Sequence, residues 1–119
     1  MRITHLQDIT DQIIKDVLSC ALEGGSNYWY EIVEFGNPDK IECKFEHLDL
    51  PMSDAGYLII KAKEDDPTYR LERITIQQGL QLMSMKYPSQ FQDLVNENSD
   101  AETGDILLQL SLFGELVYG

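Results

Sequence analysis

Cys43, His47 and Asp49 are the residues of this chain whose types could bind a metal ion or activate a thiol, with Cys20 or His5 supplied from elsewhere. Zinc takes Cys, His and carboxylate ligands at about 2.0 to 2.3 Å, so the set works only if the fold brings these side chains to one point. If residues 41 to 47 form a strand, Cys43 and His47 share a face but stand about 13 Å apart. That is too far for a thiolate–imidazole pair or a shared ion. A bend before Pro51 would close the gap. Otherwise the pattern gives a half-buried thiol and a surface histidine. No catalytic residue, metal ligand or cofactor is assigned.

Paired carboxylates offer acid/base or cation chemistry, and Glu31 with Glu34 and Asp65 with Asp66 are of that kind. In so acidic a chain such pairs are expected by chance, and none sits in a pattern that would bury it. The run EGGS, residues 23 to 26, has the glycines of a phosphate cradle in the wrong order. Phosphate loops precede a helix, whereas these glycines follow an apolar helical run. Three consecutive aromatics come next, Tyr28, Trp29 and Tyr30. Neighbours in an extended chain cannot all face inward. Two arrangements are open: Trp29 anchors the core with the tyrosines at its edge, or the three line a cleft to which Glu23, Asp105 or Glu115 adds polar groups.

The elements that must position these residues follow from periodicity. Ile9, Ile13, Val17 and Ala21 form one helical ridge and Ile14, Leu18 and Leu22 the next. Gly24 and Gly25 are then expected to close that helix in the left-handed conformation. Four Ser/Thr-x-x-Glu/Gln boxes mark helix starts, at Thr4 with Gln7, Thr75 with Gln78, Ser89 with Gln92 and Ser99 with Glu102. In KIECKFEHL, residues 40 to 48, Ile41, Cys43 and Phe45 alternate with charged residues and predict a strand with one wet face. GYLIIKAKE and TYRLER predict two more, joined by the turn Glu64-Asp65-Asp66-Pro67. YEIVEF is a fourth strand or the beginning of a helical turn. Ile76, Leu80, Met83 and Tyr87 predict a helix that Pro88 ends, and a short helix surrounds Phe91, Leu94 and Val95. In the final DILLQLSLFGELVYG, Leu108, Leu110 and Leu112 alternate as in a strand, but the acidic start and capping box favour a helix. The expected fold is α+β in a single domain over residues 1 to 119. It has an N-terminal helix, a three- to four-stranded antiparallel sheet or meander, and two to three C-terminal helices.

A chain of 119 residues can bury one core without disulfides or metal. Cys20 and Cys43 form no CxxC, which suits a reducing cytosol. Neither a signal peptide nor a membrane span is legible. The net charge of -12 argues against direct binding of nucleic acid, because phosphate neutralisation needs clustered cations. No Lys or Arg follows Lys86, while Asp93, Glu97, Asp100, Glu102, Asp105 and Glu115 do. Such a surface solubilises the protein or docks onto a basic partner.

EGGSNYWY together with the terminal DAETGDILLQLSLFGELVYG resembles a family of small uncharacterised phage and prophage proteins. Its members carry an EGG-x-x-YW element and end in a leucine-rich LFGE-V-YG segment. The matching positions here are Glu23, Gly24, Gly25, Tyr28, Trp29, Asp105, Gln109, Phe113, Gly114, Glu115, Tyr118 and Gly119. The resemblance implies a viral accessory protein expressed in a bacterial cytoplasm, and no activity. Taken with the charge, it leads to the expectation of a non-enzymatic protein that binds a bacterial partner with a basic surface. An anti-defence inhibitor or nucleic-acid mimic is its sharpest form. A small-ligand pocket or minor enzyme around Tyr28, Trp29 and Tyr30 is the alternative, and a homodimer buried through the aromatics a third arrangement. The resemblance also leads to the expectation that the YW element packs against the terminal helix, with Glu23 or Asp105 at the seam.

Overall fold

Thr10 starts the first helix by accepting a hydrogen bond from the Ile13 amide, and α1 runs over Asp11–Cys20. The computed structural model describes residues 9–63 and 67–119. The Thr4 box, His5 and the turn residues Glu64, Asp65 and Asp66 lie outside the described residues. Gly24 and Gly25 do not close α1 in the left-handed conformation, because neither has a positive φ. The helix instead widens into a π-turn, Ala21–Gly25, in which the Ser26 amide donates to the Ala21 carbonyl at 2.9 Å. Gly25 is there for space: a Cβ would stand 2.1 Å from the Ala101 carbonyl oxygen.

Three strands follow as an antiparallel meander in the order β1-β2-β3, with β1 Tyr30–Gly36, β2 Tyr57–Ala62 and β3 Thr68–Leu71. YEIVEF is therefore a strand, bulged between Ile32 and Glu34. Leu58, Ile60 and Ala62 alternate inward from β2, as one buried face requires.

The strand predicted over residues 41 to 47 does not form. The Asp49 carboxylate accepts from the backbone amides of Lys44 at 2.8 Å and Phe45 at 3.0 Å, which turns the chain into α2, Glu46–Met52. Those amides are thereby lost to any sheet ladder. The alternation in the sequence was coincidental, and Phe45, its last apolar member, is 52% exposed.

The C-terminal half is helical: α3 spans Arg73–Lys86, α4 Pro88–Val95 and α5 Ala101–Phe113. Pro88 stops α3 and opens α4, where its missing N–H costs nothing. Three starts shift from the predicted boxes, and α4 has Tyr87 rather than Ser89 at its cap position. Glu72 caps α3 reciprocally with Thr75, and Asp100 rather than Ser99 caps α5 by accepting from the Thr103 amide at 2.9 Å.

The ambiguous last segment is a helix and the centre of the molecule, packed against α1, the π-turn, α3, α4 and β3. Ile106, Leu107, Leu108 and Leu110 are buried on it, each worth on the order of 2 kcal/mol. Gly104 allows α1 to approach, since a Cβ would lie 2.6 Å from the Ala21 nitrogen. Gly114, with φ +75°, ends α5 in the left-handed conformation. One hydrophobic cluster joins every strand and α-helix. Among the described residues, no helix is long and apolar enough to cross a membrane.

Candidate functional site

The turn that follows the π-turn aims its side chains at α5. The amides of Trp29 and Tyr30 both bond the Ser26 carbonyl, at 3.1 and 3.3 Å. This folds residues 26 to 30 so that Ser26, Tyr28 and Trp29 reach one acceptor, the Asp105 carboxylate. Oδ1 of Asp105 accepts from Ser26 Oγ at 2.7 Å and from Trp29 Nε1 at 2.8 Å. Oδ2 accepts from the Tyr28 hydroxyl at 2.8 Å and from Gln109 Nε2 at 3.1 Å. Four donors and no competing acceptor suit a carboxylate.

Gln109 extends this seam to the tail. One turn beyond Asp105 and buried, its Oε1 accepts from the amides of Val117 at 2.7 Å and Tyr118 at 2.9 Å, while Nε2 also donates to the Tyr118 carbonyl at 3.0 Å. The chain beyond Gly114 is thereby folded back over Trp29. The Tyr118 ring stacks on the indole at 5.0 Å and 8°, and Phe113 closes a second side at 5.3 Å. Trp29 is 3% exposed.

Of the six predicted site residues, the structure brings Tyr28, Trp29 and Asp105 together. Tyr30 turns inward, and its hydroxyl donates to the Leu22 carbonyl. Burial raises the pKa of that phenol. Glu23 is not at the seam. It is exposed and holds Ser19 Oγ at 2.7 Å and His47 Nε2 at 3.0 Å, linking the π-turn to α2, and the His47 hydrogen bond lowers its pKa. Glu115 is exposed and does not join the seam. Reading YWY as the site passed over Ser26, Gln109 and Tyr118 as its partners. Gln109 could have been found as a lone amide on a nearly all-apolar helix, four residues after Asp105 and so on its face.

Tyr28 is 55% exposed, yet its hydroxyl is engaged by Asp105. Burial around the hydroxyl and the bond to Asp105 push its pKa up to about 12. In an alkaline titration followed by tyrosinate absorbance, Tyr28→Phe is expected to remove a late-ionising phenol and leave the earlier transitions in place.

The potential metal or thiol set is dispersed. His47 is engaged by Glu23, and Asp49 by two backbone amides and by Lys15 Nζ at 2.9 Å. Among the described residues, no group of three His, Cys, Asp or Glu side chains could hold a metal ion. Cys43 lines an open cleft of about 480 Å³ with Lys15, Lys44 and Asp49, but burial raises its pKa and keeps the thiol protonated.

The hydrogen bond from the Phe45 amide, followed by that from Lys15, lowers the Asp49 pKa to about 2. A lowered folded-state pKa gives stability that is present above the ordinary carboxylate value near 4 and lost as pH falls through about 2. The side chain is 19% exposed, so solvent limits the contribution to about 1 kcal/mol. Asp49→Asn is expected to lower stability at neutral pH and to flatten the acid limb of a denaturation series between pH 4 and about 2.

Carboxylates gather where α1 meets the α4–α5 junction. Asp16 and Glu97 line a narrow cleft with Cys20 and Ser99. Burial, and after it the nearby charges of Asp100, Asp16 and Glu23, raise the Cys20 pKa. Asp16, Glu97, Asp100 and Glu102 are exposed, and none of the ion pairs among the described residues includes them.

Fold and seam together define an α+β protein whose aromatic element and C-terminal tail are locked by one carboxylate and one amide. No protein-family model matches the chain, and searches among curated proteins and solved structures find no match.

Proposed function

We propose that this protein is a small non-catalytic binder, in the phage or prophage context that its two end motifs imply, and that it captures a bacterial protein through a basic surface on that partner. The observation that carries the reading is the acidic end formed by Asp16, Glu97, Asp100 and Glu102, exposed carboxylates of which Asp100 also caps α5. A basic groove would meet four exposed carboxylates there, none of them held in an ion pair among the described residues. Complementary charge speeds encounter and sets specificity. The aromatic element supports the same reading indirectly, because Trp29 and Asp105 bond to one another and are covered by the tail. An anti-defence inhibitor that imitates nucleic acid is the narrower form, and it requires that the partner's basic groove normally accept phosphates.

The experiment is affinity capture from bacterial lysate at low and then high salt, beside the double variant Asp16→Lys with Glu97→Lys. A basic protein that binds at low salt, is released by high salt and is missed by the variant supports the reading. Capture that neither salt nor the variant changes overturns the acidic docking end. Recovery of a nucleotide or metabolite in place of a protein transfers the function to a cleft.

A further inference from the structure

The outer face of α3 is unlike the rest of this acidic surface. Ile76, Gly79, Leu80 and Met83 turn inward, and opposite them Ile74, Gln78, Gln81 and Met85 form an outer ridge at i, i+4, i+7, i+11 spacing. Ile74 is 53% exposed and Met85 63%. Between Arg73 and Lys86 there is no charged residue. A shallow groove of about 550 Å³ runs along this face, lined by Ile74, Gln77, Gln78, Gln81 and Leu82. Arg73 does not enter it: the guanidinium is turned to Asp11 at 3.0 Å and to the Met52 carbonyl at 2.7 Å.

The order of residue types on the ridge reads the same from both ends, with an apolar residue at each end and glutamines in the middle. A two-fold axis crossing α3 midway between Gly79 and Leu80 places Ile74 against the second copy's Met85, Gln78 against its Gln81, and Gln77 against its Leu82. A closed dimer needs one patch that complements itself under such an axis. We propose that the outer face of α3 pairs antiparallel with the same face of a second copy.

Between two copies, charge favours this face. Two molecules of net charge -12 repel, and contact is least costly where neither presents a carboxylate. Several other exposed apolar side chains lie beside charges: Val33 and Phe35 share β1 with Glu31 and Glu34, Phe45 stands between Lys44 and Glu46, and Leu116 follows Glu115. On the α3 face the Ile74 end borders a cleft with Asp54, Arg70, Glu72 and Arg73, while the groove lining beyond it is uncharged. Antiparallel helices also oppose their dipoles favourably. A helix of 14 residues gives a face about 21 Å long and about 10 Å wide. The footprint is therefore about 200 Å² per copy, well below the roughly 800 Å² per partner of a standard interface, so the dimer is transient and depends on concentration.

Sedimentation velocity of the intact chain over a concentration series, at low and high salt, tests this pairing. Association is expected to strengthen with salt, because screening relieves repulsion between the copies. Capture of a basic partner weakens with salt, so failure of either proposal is visible without the other. Ile74→Glu and Met85→Lys are both at exposed positions and are each expected to weaken association at least about tenfold. Mixing the two variants brings the introduced carboxylate against the introduced ammonium across the axis and is expected to restore a dimer. A chain that stays monomeric up to about millimolar concentration overturns the proposal. So does a dimer that both variants leave intact, or a mixture that recovers nothing.

Discussion

Asp105→Ala is expected to destabilise the protein by about 3 kcal/mol, which is a fall of about 10 °C in Tm for a domain of this size. The loss comes from the donors left behind. Ser26 Oγ and Trp29 Nε1 point into a seam that water reaches poorly, and Ser26 is fully buried. Each buried donor without an acceptor costs roughly 1 to 3 kcal/mol. Asp105→Asn is expected to cost less, about 1 to 2 kcal/mol. It keeps one oxygen for Ser26 and Trp29, and its new NH2 can be accommodated only by a rotated Tyr28 hydroxyl. The Gln109 amide cannot reverse to accept from it, because Gln109 Oε1 already holds the amides of Val117 and Tyr118. Thermal or chemical denaturation ranks the three proteins. If Asp105→Ala matched the parent in stability, the seam would not hold the fold together.

Trp29→Ala is expected to cost about 4 kcal/mol, the range for removing a large aromatic from a packed interior. It deletes the surface on which Tyr118 stacks and which Phe113 and Tyr30 touch, as well as the Nε1 donor to Asp105. The tail should then detach from α5 before the rest unfolds, seen as faster proteolysis after Gly114. Combined with Asp105→Ala, the total is expected to fall short of the sum, since both substitutions remove the same hydrogen bond. Near-parental stability with lost partner binding would instead make Trp29 an interface residue.

Most of this architecture was legible where burial alone dictates residue type. The apolar ridges of α1 and α3 and the alternation of β2 follow from facing one core, and periodicity reports that directly. The segment from residue 41 to 47 was misread because its structure is decided by one side chain five residues downstream. Asp49 takes the amides a strand would have used, and no periodicity records such a contact. Gly24 and Gly25 were misread for a related reason. A glycine marks either a left-handed turn or a close approach, and only the position of Ala101 shows that Gly25 serves the second. At the seam, Trp29 and Asp105 could be named from the end motifs, but their meeting could not be computed from spacing. Glu23 and Asp105 were equivalent candidates until the fold separated them.

The seam also bears on how the chain reaches this state. Its two sides are 76 to 79 residues apart in sequence, so joining them costs about 4 kcal/mol of loop-closure entropy before any contact compensates for it. Contacts of such separation form slowly, and α1 and the sheet can assemble locally first. During synthesis the turn carrying Trp29 emerges long before α5 exists to cover it. Until α5 is out, the indole, Ser26 and the exposed side of α1 remain a natural target for chaperones. Closure of the seam is then expected to follow synthesis of α5, and tryptophan fluorescence is the signal that dates it.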